Sequence, residues 1–216
     1  MLASALTFTL MTTLIKYLGA DYPPGLQTFY RQAAGLVVMA PIILRNPAAA
    51  FHTTRPVVLG LRSLGGVTAL VLAFYAYQHL PLAEANALSF TRTLWIVPLA
   101  AFVLREQVGP WRIGAAMVGF AGVLVMLHPS GGGSLSLPTL SALASAGLLA
   151  ATVTGMKVMT RDHSVTALMA WAAVLGFALT IPLAILDWRW PAPFDLLLLC
   201  LMGDRKSTRL NSSHRL

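Results

Sequence analysis

Acidic side chains are scarce in this chain. Its 216 residues hold only 7 Asp and Glu, and charged residues of either sign make up 10%. A soluble domain carries about 25%, and with so few charges it lacks the polar surface to cover itself. Cysteine is rarer still. The single Cys200 cannot form an internal disulfide and lies in an apolar run, where it acts as a small packing or lipid-facing residue. Metal-ligand spacing is missing too. His52, His79, His128 and His163 stand at segment ends with no H-x3-H pair and no cysteine partner, which argues against a metal site. There is no GxxxxGKS/T loop, so ATP-driven pumping has no support. The glycines of "PSGGGSLSLP" lack the lysine and read as a flexible loop. No Ser/His/Asp set or paired carboxylates mark a hydrolase. The expectation is a chain that is not an enzyme and uses no cofactor.

What the chain does have is apolar surface: 57% hydrophobic residues and a mean hydropathy of +0.73. Lipid is the natural solvent for such a composition. The net charge of +8 suggests nucleic acid at first sight. However, Arg205, Lys206, Arg209 and Arg215 against Asp204 supply much of it, and the rest sits mostly in short loops. A membrane protein explains that distribution better than a nucleic-acid face.

A spanning helix needs about 20 mostly apolar residues. Seven stretches qualify: Leu2–Ala20, Gly25–Leu44, Val57–Gln78, Ala83–Leu104, Pro110–Leu127, Leu137–Met159 and Val165–Leu186. An eighth, Asp195–Gly203, is too short to cross. Turn chemistry separates them, as in "DYPPG", "HLPLAE" and "REQVG". Alternate connections hold Arg45 and Arg55, Arg105 and Arg112, then Lys157 and Arg161, with Arg62 just inside the third stretch. The other set holds only Arg189. The positive-inside rule then places the first set, and the N-terminus, in the cytoplasm of an inner (plasma) membrane protein.

An internal repeat emerges on shifting the chain by 141 positions. "LASA" at Leu2–Ala5 falls on "LASA" at Leu143–Ala146. Thr13 meets Thr154, Lys16 meets Lys157, Asp21 meets Asp162, Gly35 meets Gly176 and Pro41 meets Pro182. The offset covers an odd number of helices, so the second copy is inverted. Inverted repeats are an architecture of secondary transporters, with the substrate site between the halves. The expected organisation is a first five-helix repeat over 1–128, a loop over 129–136 and an incomplete second repeat over 137–203.

Charged residues inside spans are functional candidates by default. Arg92, in "ALSFTRTLWIVPL", lies roughly 13 Å from the outer end of its helix. There it calls for a wet cavity or a partner such as Glu84 or an anionic substrate group. Ser89, Thr91 and Thr93 make this stretch polar. Arg31 is roughly 9 Å deep, where snorkelling and cavity-lining are both open. Lys16, roughly 6 Å deep, can snorkel to the interface. Lys16, Glu84 and Glu106 are read as gating or structural charges, Glu106 pairing with Arg105, Arg112 or Arg62. Tyr75, Tyr77, Trp95 and Trp171 could stack on a flat substrate or serve as packing. Substrate-pathway candidates are thus Arg92, Arg31, Trp95, Tyr75, Ser89 and Trp171. The small residues Ala115, Gly119 and Gly122 suit close packing against a neighbouring helix or a second copy in a homodimer.

The run "FYAYQHLPLAEANALSFTRTLWIVPLAAFVLREQVGPWRIGAAMVGFAGVLVMLHP", Phe74–Pro129, resembles the EamA family of the drug/metabolite transporter superfamily, as does "IKYLG…PPGLQTFYRQAAG". The resemblance covers about residues 1–203. It implies an all-α polytopic membrane helix bundle, a fragment of a ten-helix inverted-repeat carrier that moves small metabolites or drugs, commonly outward. Where that family often has a proline, about at Thr93, this chain reads Thr91-Arg92-Thr93. The partners implied are the lipid bilayer and a small-molecule substrate, and not nucleic acid. The rival classes are a non-transporting membrane scaffold, which needs no water-accessible cavity near Arg92 and Trp95, and a membrane-embedded enzyme. The last residues stand apart. "DRKSTRLNSSH", Asp204–His214, resembles the conceptual translation of a sequencing adapter, so 204–216 is expected to be a non-native tail.

Overall fold

Runs of about twenty apolar residues have one stable open-ended conformation in lipid, the α-helix, because it satisfies every backbone N–H and C=O internally. The computed structural model describes residues 2–47, 51–53, 56–103, 108–126, 136–160, 164–186, 188–191, 195 and 198. Seven helices lie among the described residues. They are α1 (Leu2–Leu18), α2 (Pro24–Arg45), α3 (Pro56–His79), α4 (Leu82–Val103), α5 (Pro110–Met126), α6 (Leu137–Met159) and α7 (Val165–Leu186). They fall on the seven stretches read from the sequence. The 129–135 loop, Glu106, Cys200 and the tail 204–216 lie outside the described residues, as does all of the eighth segment but 195 and 198.

Local chemistry sets the helix ends. Pro23 and Pro24 open α2, where a missing N–H costs nothing and φ is already helical. Ser136 caps α6, its Oγ accepting from the Thr139 N–H at 3.4 Å. Ser164 does the same for α7, accepting from Ala167 N–H at 3.1 Å. Inside the helices, hydroxyls bond back to the preceding turn, as Thr91 does to Leu88 O at 2.6 Å and Ser145 to Ala142 O at 2.7 Å. That satisfies a polar hydrogen where water is absent.

Helices α3, α4, α6 and α7 are each long and apolar enough to cross a membrane. Helices α1 and α5 have 17 residues each. In α2, Gln27, Thr28, Tyr30, Arg31 and Gln32 dilute the first half of a 22-residue helix. The chain is an all-α polytopic membrane bundle.

Helix α6 sits at the centre, packed chiefly on α3 and α4, while α2 packs on α7. Small residues allow this. Ala142, Ala146, Ala150 and Thr154 recur every fourth residue along α6 and are all buried, a stripe that lets neighbouring backbones approach closely. On α7, Gly176 faces the Gln32 amide and Leu183 faces Gly25, so α2 and α7 run antiparallel. A Cβ on Gly25 would lie 3.2 Å from Leu183 Cβ. The main buried cluster joins Ile15, Leu18, Leu26, Phe74, Leu88 and Ala142. In contrast, large apolar side chains such as Phe102, Trp111, Val118 and Leu186 remain exposed, as expected of a surface that meets lipid rather than water.

Candidate substrate cavity

Packing four helices around small residues leaves space between them. A cavity of about 630 Å³ opens among α1, α3, α4 and α6, with Arg31 reaching it from α2. Its wall is apolar where α3 contributes Phe74 and Tyr77, and polar where α4 contributes Asn86, Ser89 and Arg92. Thr12 of α1 and Ser145 of α6 add hydroxyls. A pocket of this size takes a small molecule, and a few convergent polar groups in an apolar wall are what fix its orientation.

Of the residues singled out in the sequence, Arg92, Arg31, Ser89 and Tyr77 share this wall. Arg92 stands about 15 Å along α4 from its start and Arg31 about 10 Å along α2. Ser89 lines the cavity and donates to Asn86 O at 2.7 Å, so its oxygen keeps its capacity to accept. Glu84 is about 12 Å from Arg92 along the same helix, and no ion pair joins the two among the described residues. The other aromatics lie elsewhere. Tyr75 stacks on His79, ring centroids 4.2 Å apart. Trp95 packs over Gly147 of α6 and edge-on against Phe120 of α5. Trp171 meets Phe51 at 5.6 Å and lies against the cluster of Leu59, Met159 and Leu168, with its indole N–H buried and unpartnered.

Above the cavity, the α1–α2 and α3–α4 turns and the segment after α7 converge in what we term the turn end. Lys16 Nζ donates to Leu80 O at 2.7 Å, joining α1 to the α3–α4 turn. Gln78 and Gln27 donate to Tyr22 O at 3.2 and 3.3 Å, and Tyr22 OH donates to Asp195 at 2.9 Å. Arg189 donates to Asp21 O at 3.0 Å. Trp188 and Trp190 stand beside them, edge to face. At the opposite end, the loop end, lies the apolar cluster of Leu59, Met159, Leu168 and Trp171.

A second, smaller cavity of about 250 Å³ lies toward the loop end. Its lining includes Gln32, Arg62, Ser63 and Thr152, and it shares Arg31, Leu70 and Leu149 with the first. Sequence reading missed part of both walls. Asn86, Ser89 and Phe90 sit at i, i+3 and i+4 on one face of α4, a spacing that marks Asn86 once the face is drawn. Arg62, just inside the third stretch by sequence, is six residues, about 9 Å, inside α3 and lines the smaller cavity. Ser145 was read only as part of the repeated "LASA".

The profile of the EamA-like transporter family matches residues 1–128, more than half of the chain. The chain belongs to the EamA-like transporter family. Among curated members, an S-adenosylmethionine uptake transporter of Rickettsia prowazekii is 26% identical over 206 residues, covering 95% of this chain and 70% of the relative. The pseudopaline exporter CntI of Pseudomonas aeruginosa is 25% identical, covering 88% of this chain and 66% of the relative. The chain therefore spans roughly two thirds of the length of these EamA-type relatives. A solved crystal structure shares the fold with a TM-score of 0.63 at 23% identity, covering 93% of this chain and 73% of the other. The family and the apolar helices make this a multi-pass membrane protein of a transporter family.

Proposed function

We propose that this chain forms the core of a secondary transporter that moves small metabolites or drugs by alternating access. One observation carries the reading: the 630 Å³ cavity is walled by α1, α3 and α4 on one side and α6 on the other, with two arginines on it. Under the 141-residue register, α1–α5 and the segment from α6 onward are the two halves. The cavity then lies between halves, where inverted-repeat carriers hold substrate. The same register makes α2 and α7 equivalent, and these two cross antiparallel at Gly176 and Gln32, as helices exchanged by an in-plane two-fold axis do. A scaffold needs no such cavity, and close packing would fill it.

Arg45, Arg112 and Lys157 gather at the loop end, which the positive-inside rule assigns to the cytoplasm of an inner (plasma) membrane. The hydrogen-bonded turn end then faces outward and the N-terminus inward. Outward movement is the expectation carried by the resemblance. The relatives named for uptake and for export make direction a matter for measurement.

Metabolite profiling of cells with and without the complete reading frame identifies the cargo. Counterflow of that cargo in liposomes then tests the reading directly. We expect saturable exchange that falls at least tenfold in Arg92→Ala, about the loss of one charge-assisted hydrogen bond. Equal flux in protein-free vesicles for every profiled compound overturns the transporter reading. Full flux in a folded Arg92→Ala protein removes Arg92 from the path.

A further inference from the structure

We infer that the cargo is a small organic anion, its charged group passed along Arg92, Arg31 and Arg62 through two adjoining chambers. This deepens the transporter reading and rests on it. The large chamber carries Arg92 and the small one Arg62, while Arg31, Leu70 and Leu149 line both, so the two chambers adjoin at Arg31. No Asp or Glu lines either chamber among the described residues. The path is therefore cationic along its length.

The small chamber has the better-defined chemistry. Ser63 is 5% exposed, and among the described residues its Oγ has no hydrogen-bond partner. Arg62 Nε, on the next residue, is also buried without one. A hydroxyl and a guanidinium both offer hydrogens, and together they match a group that only accepts, such as a carboxylate or phosphate. Holding a half-buried guanidinium with its Nε unpartnered within a membrane span is costly, and an arriving anion offsets that cost. Guanidinium repulsion excludes cations from the same route. In the large chamber, Phe74 and Tyr77 give the apolar body of the cargo a surface while its anionic end meets Arg92 or Arg31. Arg62 and Ser63 then form a second station for that end on its way to the loop end.

The test uses protein expressed from the complete reading frame in lipid nanodiscs. Calorimetric titration with matched probes separates charge from shape: N-acetylphenylalanine against its primary amide, and phenyl phosphate against phenol. We expect an anionic member to bind about tenfold or more tighter than its neutral mate. The pair with the larger ratio tells carboxylate from phosphate. Arg62→Gln should weaken the anion about tenfold and Arg62→Lys much less, with Ser63→Ala intermediate. Equal binding of anion and neutral mate, or no anion binding at about 1 mM, overturns the anion class. A folded Arg62→Gln protein that binds anions as the wild type does overturns the second station. If that variant does not fold, Ser63→Ala decides the station, and unchanged anion binding in it counts against. Anion binding without counterflow refutes transport but leaves the anion site standing. Counterflow of a neutral or cationic cargo, unaffected by the anions, does the reverse.

Discussion

Replacing Lys16 with methionine should loosen the turn end. The Lys16 ammonium donates to Leu80 O at 2.7 Å, and this bond ties α1 to the turn between α3 and α4 directly above the cavity. Methionine keeps the apolar stem and removes the donor. A hydrogen bond from a charged donor contributes about 1.5–3 kcal/mol. If it forms only while the turn end is shut, its loss moves the closed-to-open ratio by about tenfold to a hundredfold. The other turn-end bonds, from Gln78 and Gln27 to Tyr22 O and from Tyr22 to Asp195, remain, so the bundle should stay folded. A background in which every cysteine of the complete reading frame, Cys200 among them, is replaced by serine allows one reporter, Ser145→Cys, on the cavity wall. A membrane-impermeant maleimide added on the turn side should label this reporter about ten times faster, or more, in Lys16→Met than with Lys16 present. Equal rates, with the reporter fully reactive after unfolding, would refute the gate argument. They would leave Lys16 as a lysine that merely satisfies a carbonyl near the interface.

Further perturbations read other parts of the structure. Trp171→Phe keeps a ring against Phe51 and discards a buried, unpartnered indole N–H. It should cost within about 1 kcal/mol in denaturant titration, whereas Trp171→Ala should cost about 3–5 kcal/mol. A phenylalanine as damaging as alanine would mean that the N–H is used. Gln27 is fully buried, makes two long bonds of 3.3 and 3.4 Å and leaves Oε1 unpartnered. Gln27→Met should thus change stability by no more than about 1 kcal/mol, and a larger loss would indicate a partner for the amide oxygen. Gly25→Ala brings a methyl to 3.2 Å from Leu183 Cβ, while Gly114 has open space around it. The first should cost about 1–3 kcal/mol and the second gain up to about 1 kcal/mol. The reverse order in thermal unfolding would show that α2 and α7 are not in close contact.

The helices were legible because lipid imposes one rule on every long apolar run. Their ends were legible because Pro23-Pro24, Ser136 and Ser164 act within a few residues of themselves. The candidate cavity was legible only in part. Arg92, Arg31 and Ser89 stood out as polar groups at depth, and they share a wall. The aromatics look alike in a list of residues: Tyr75 meets His79 by i,i+4 spacing along α3, while only the rotation of each helix about its axis sends Tyr77 to the cavity, Trp95 to Gly147 and Trp171 to Phe51. Arg62 lies just inside the third stretch, where a basic residue reads as a topology marker and gives no sign that it lines a chamber. Its burial depends on α6 and α7 covering that part of α3.

By itself the sequence determined the solvent, the number of long helices among the described residues, the family and the depth of each charge. All of these follow from composition and from distances along one chain. Tertiary structure decided which faces meet. It placed three arginines from three helices on two adjoining chambers, set Lys16 under a carbonyl 64 positions away, and turned a small-residue stripe on α6 into the bundle's centre. The physical reason is that helix rotation and crossing are set by packing between helices, and packing is a property of pairs that no single run of residues contains.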